Sequence, residues 1–132
     1  MAAALRGGIL YFVLVFALGF VFGVVRQTLV IPRIGELAAV LLEVPLLLAL
    51  AWPICRRVVQ RCAVPPALPD RAVMALVAFG LLMLAELLLA VTLAGQAPAQ
   101  HWARYAELPV QIGLAGQLLF ALIPLLQRKL NG

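Results

Sequence analysis

At 132 residues, 66% hydrophobic and 11% charged, with a mean hydropathy of +1.14, the chain carries more apolar surface than a soluble domain of this size can bury. That excludes an ordinary soluble fold and leaves room for one transmembrane domain, residues 1–132. The net charge of +5 would suggest nucleic acid in a soluble protein. Here the basic residues stand at the ends of apolar runs, where they meet lipid headgroups, so the expected partner is the bilayer and no nucleic acid.

Four apolar runs follow in order, at 7–25, 37–55, 72–94 and 108–126, interrupted only by Glu43 in the second and Glu86 in the third. Each is long enough to cross a hydrocarbon core of about 30 Å at about 1.5 Å per residue. The expected fold is therefore all-α, a compact bundle of four transmembrane helices. The first run follows a short start with one charge, Arg6, but it is long for a signal-peptide core and no polar mature start follows it, so it is kept as a membrane helix.

Over the stretch 26–43, Arg26, Arg33, Glu36 and Glu43 gather around an expected tight turn, the last of them inside the second run. The second connection, 56–71, contains Pro65, Pro66 and Pro69, which predict a non-helical turn, with Asp70 as N-cap of the third helix. The third connection holds Trp102 and Tyr105, spaced to share one side of a short helix as an interfacial aromatic anchor. Counting Lys and Arg side by side places Arg6, Arg56, Arg57, Arg61, Arg71, Arg128 and Lys129 at one face against Arg26, Arg33 and Arg104 at the other. Both termini are thus expected in the cytoplasm.

Depth turns the polar residues into a cluster. The midpoints of the runs fall at Phe16, Leu46, Met83 and Gln117, so Glu43 and Glu86 lie at one level, about 4.5 Å to the outer side of the centre. An ionised side chain in lipid costs about 2.5–3.5 kcal/mol on insertion scales, so each glutamate is expected to face the other, an arginine or water. Gly19 and Gly23 form a small-residue notch that, with Ala39, would bring the first two helices close, with Arg26 or Arg33 reaching toward Glu43. Pro45 cannot donate to the Leu41 carbonyl and loosens the turn beside Glu43. The candidate cluster is Glu43, Glu86, Arg26, Arg33, Glu36 and Gln117. A salt bridge that orders the outer loop is the bland reading of Arg26, Arg33 and Glu36, and a packing lock that of the two glutamates.

Motifs that would carry chemistry are few. Cys55 and Cys62 have no histidine near them, so no metal site is expected. The chain contains no serine, and its single histidine, His101, falls on the face opposite both cysteines. No phosphate loop, zinc-protease helix or haem-attachment motif is present, and no cofactor is expected.

The stretches GFVFGVVRQTLVIPRIGELAAVLLEVPLLLALAW, LLMLAELLL and GLAGQLLFALIPLL resemble a group of small uncharacterised bacterial four-span membrane proteins. That resemblance implies the bacterial inner membrane and no particular activity. Small multidrug transporters share the size, but their membrane glutamate lies in the first helix, which is uncharged here. Three functions are weighed: a non-enzymatic accessory or interaction protein, which is favoured; a proton- or cation-coupled transporter or channel using Glu43 and Glu86; and an enzyme acting on a lipid or isoprenoid phosphate held by Arg26, Arg33 and Arg104. A homo-oligomer or a membrane partner protein is compatible with the first two.

Overall fold

The computed structural model describes residues 2–92 and 95–130, for 129 and 130 the backbone alone. Helix α1 (Ala2–Val25) continues through one π-helical turn (Arg26–Val30) into α2 (Ile31–Ile34). After it come α3 (Glu36–Cys62), α4 (Leu68–Thr92), the short α5 (Pro98–Ala103) with a 3-10 turn (Arg104–Ala106), and α6 (Leu108–Leu130). No strand occurs among the described residues. Four stretches, Ala2–Ile34, Glu36–Cys62, Leu68–Thr92 and Leu108–Arg128, are long and apolar enough to cross a membrane, which makes this a multi-pass membrane protein.

The helices outrun the apolar runs, because charged flanks are good helix formers and only backbone chemistry stops them. The turn expected over 26–36 narrows to one residue, Gly35, at φ 87° and ψ 165°, a conformation that favours glycine. Helix α3 runs past Arg56 to Cys62 and ends with Ala63 in the left-handed region, its N–H and that of Val64 bonding back to the Gln60 and Val59 carbonyls. Helix α4 starts at Leu68, so Asp70 is not its N-cap: it lies in the first turn, where a carboxylate suits the positive end of the helix. Leu93 and Ala94, expected at the end of the third span, fall outside the described residues.

Helix α1 packs on α3 and α4, and α6 packs on the same two. The second and third spans, α3 and α4, are therefore diagonal to each other although consecutive in the chain. At the end holding both termini the helices close around Ala4, Tyr11, Ala51, Cys55, Met74 and Ile123. A Cβ on Gly8 would lie 2.9 Å from Val77 Cγ1 and 3.0 Å from the Met74 carbonyl, and one on Gly116 2.7 Å from Val44 Cγ1. These glycines, not Gly19 and Gly23, mark the close approaches: a Cβ on Gly19 would stand 3.7 Å from Leu47 and one on Gly23 3.8 Å from Arg26, ordinary contact distances.

Proline chemistry explains the diagonal tie. Pro124 has no N–H, so the Phe120 carbonyl one turn earlier lacks its helical donor. The Tyr11 hydroxyl supplies one at 2.7 Å, and the Tyr11 and Phe120 rings stack with centroids 4.4 Å apart. Arg71, 3% exposed, donates from Nη1 to the Pro124 carbonyl at 2.9 Å and from Nε to Pro65 at 3.1 Å. It acts as a staple between the α3–α4 connection and α6.

Tyr11→Phe keeps the ring and removes the donor; the orphaned Phe120 carbonyl is expected to cost about 1–3 kcal/mol in unfolding measured in lipid nanodiscs. Overpacking makes Gly8→Leu destabilising by about 1–3 kcal/mol in the same assay, whereas Gly19→Ala should be close to neutral.

Candidate functional site

Toward the opposite end the four long helices border a partly open chamber of about 840 Å³. Val15, Ala51 and Phe120 form its floor, above the buried core, and Gln96, His101, Arg104 and Tyr105 lie at its roof. Gly19 and Gly23 border it, which explains why they do not serve a close helix contact.

Arg26 reaches the chamber because of Pro32. Lacking an N–H and crowding the carbonyl four residues back, Pro32 disfavours a regular turn before it. The backbone widens instead, and the Ile31 N–H bonds to the Arg26 carbonyl in the π pattern. The Arg26 guanidinium donates through Nη1 to Glu43 Oε2, with side chains 30% and 11% exposed. Removing either partner leaves a poorly solvated charge, so this pair is worth more than the roughly 0–1 kcal/mol of a surface pair. It falls short of the about 3–5 kcal/mol lost when a fully buried pair is broken, because Arg26 retains solvent.

Glu86 and Glu43 take different partners. Glu86 Oε1 accepts from Gln117 Nε2 on α6, and Arg26 acts on it only at longer range. Glu36 lines the chamber but pairs with Arg104 Nη2 at 2.8 Å, tying the roof to the start of α3. Arg33, grouped with these residues on sequence, is exposed and forms no ion pair among the described residues. Four turns of geometry thus gather Arg26, Glu43, Glu86, Gln117 and Glu36 around one space and leave Arg33 outside it.

The roof residues were visible in sequence only as charge and aromatic content. The Gln100 side chain accepts from the Ala97 N–H at 2.8 Å and starts α5. Trp102 faces outward, 48% exposed, and stacks on Tyr105 at 5.6 Å. Tyr105 points inward, its hydroxyl 3.9 Å from Met83 Sδ and its ring edge-on to His101. The one usable signal was Arg104, a cation at the same level as Glu36. Among the described residues no group of three or more His, Cys, Asp or Glu side chains is placed to hold a metal ion.

The fold and the chamber together define an all-helical, multi-pass membrane protein with a mainly apolar cavity that holds a few charged and amide side chains. No family model, curated protein or solved structure matches the chain.

Burial raises the ionisation of the Tyr105 phenol above its ordinary value of 10.0, and the negative charge of Glu86 raises it further. The phenol stays neutral into alkali because ionising it would add a second negative charge in a poorly solvated place. Followed by ultraviolet absorbance against Tyr105→Phe, its titration should fall above that of free tyrosine. Glu86→Gln should bring it part of the way down, since burial remains.

Proposed function

We propose that this is a non-enzymatic protein of the bacterial inner membrane, accessory in role, that receives a small ligand in the chamber between its four bundled helices, with both termini in the cytoplasm. The observation that carries this reading is that Arg26, Glu43, Glu86 and Gln117 line one chamber of about 840 Å³, a size in the range of about 300–1,000 Å³ that small-molecule sites occupy. A cluster serving only as a packing lock would be closed over by side chains.

The orientation rests on exposed Arg6, Arg56, Arg57 and Arg61 at the end with the termini. Arg71 is buried and structural, but leaving it out does not reverse the balance. The chamber then faces away from the cytoplasm. The membrane assignment rests on the resemblance to small bacterial four-span proteins.

Coupled transport is the second reading, favoured by two carboxylates on one chamber. It requires the floor to part, which would break the bond between Tyr11 and the Phe120 carbonyl. Phosphate-directed enzymology has the least support, because Arg26 and Arg104 are engaged by carboxylates and Arg33 stands apart.

Proteoliposome flux assays for protons and monovalent cations separate the two leading readings. The binding reading expects no flux above that of empty vesicles for wild type, Glu43→Gln or Glu86→Gln. Flux in wild type that disappears in both variants would establish transport. In parallel, Glu86→Gln should unfold within about 1 kcal/mol of wild type, because an amide can still hydrogen-bond to Gln117. Glu43→Gln should lose more, since it strands Arg26; equal, non-additive losses in both single variants and the double variant would instead mark a coupled structural lock.

A further inference from the structure

The charges that line the chamber do not cancel. Arg26 is taken by Glu43 and Arg104 by Glu36, each through a direct ion pair. Glu86 is left with a neutral partner, the Gln117 amide. When ionised, Glu86 is therefore a carboxylate on the lining with no cation of its own, whereas Glu43 and Glu36 each have one.

Hydrogen-bonding capacity is unbalanced in the same direction. Three buried side-chain atoms on the chamber wall lack a partner: Gln96 Oε1, Gln117 Oε1 and His101 Nε2. Both glutamine atoms are acceptors, and the histidine nitrogen is one in the tautomer that carries its proton on Nδ1. Gln117 is also the residue bonded to Glu86, so the uncompensated carboxylate and an unused amide oxygen belong to one hydrogen-bonded pair. Leaving a buried acceptor without a donor is costly, and a ligand that donates recovers that loss.

The remainder of the wall is apolar. Phe16, Phe20, Leu82, Leu89 and Phe120 contribute to it, and aromatic faces attract cations as well as hydrocarbon. A bare metal ion would use none of that wall and would fill little of the volume. An anion would meet the surplus carboxylate.

We infer that the chamber binds an organic monocation that carries at least one N–H and an apolar body, its ammonium group held by Glu86 and Gln117 Oε1 and its body against the phenylalanines of α1 and α6. This rests on the chamber being a ligand site and adds the class of ligand. The Arg26–Glu43 pair has a defined part in it: while Glu43 occupies the guanidinium, Arg26 does not compete for Glu86.

The test is binding of three probes of one shape and different charge, phenethylammonium, phenethyl alcohol and phenylacetate, read as protection against thermal unfolding in nanodiscs of uncharged lipid. Wild type should be protected by phenethylammonium and by neither of the others. Glu86→Gln should weaken ammonium binding about tenfold or more, the size of one lost charge-assisted hydrogen bond. Glu43→Gln should also weaken it, by freeing Arg26 toward Glu86. Arg26→Gln should strengthen it by exposing a second carboxylate, and the Arg26→Gln/Glu43→Gln double variant, which has neither charge, should return to near wild-type affinity even if the single variants fold poorly.

Equal protection by the alcohol and the ammonium, or stronger protection by phenylacetate, would overturn the cation assignment and leave the binding reading standing. Ammonium protection that survives Glu86→Gln unchanged would overturn the placement of the charged group. Absence of protection by all three probes would overturn both the cation assignment and the chamber as a ligand site.

Discussion

Inside hydrocarbon no water is present to satisfy a polar atom, so every carbonyl freed by a proline and every charge must find its partner within the protein. The tie between Tyr11 and Phe120 follows from that constraint: Pro124 withdraws a donor, and a tyrosine on the diagonal helix replaces it. Arg71 meets the same demand with two further carbonyls, one of them on Pro124 itself. The interior proline of α6 thus sets the contact to α1, Arg71 adds one from α4, and the end of the molecule that holds the termini closes around them.

Closure there is matched by opening at the other end. Gly8 lets α1 lie against the α4 backbone at Met74, and Gly7 leaves room for the Val64 side chain, where a Cβ would crowd. Farther along α1 the glycines at 19 and 23 have only ordinary contacts, and the chamber begins. Pro32 acts at this level as Pro124 does below, but its effect is to widen a turn and carry Arg26 to Glu43. Close helix contact therefore marks one half of the four helices and the chamber the other.

The diagonal arrangement of α3 and α4 has a functional consequence. Two carboxylates at one depth on adjacent helices would share a proton or a cation. Separated across the chamber, they take different partners, Arg26 for Glu43 and Gln117 for Glu86. The two are thereby made unequal, one paired with a cation and the other with a neutral amide. The roof is held by a pair of half-exposed groups, Arg104 and Glu36, an interaction worth about 0–1 kcal/mol and weak enough to break without unfolding anything.

Four membrane-crossing helices and their order were determined by the sequence alone, because hydrophobic length and rise per residue are local quantities. The same local reasoning reached too far at Arg26–Glu36, where helix persists to a single glycine, and stopped too soon at Arg56, where charged residues continue α3. Which helices touch was decided only in three dimensions. Spacing along a helix places Gly19 and Gly23 on one stripe but cannot say whether a neighbour fills it, and the stripe proved to border a chamber while Gly8 and Gly116 carried the packing. Arg33 and Arg104 are both cations at the same end, and no pattern in the chain distinguishes them. The position of the 3-10 turn over the start of α3 does, by bringing Arg104 to Glu36 and leaving Arg33 in the open. Partner choice among equivalent charges depends on distances across the fold, and those exist only once the helices have packed.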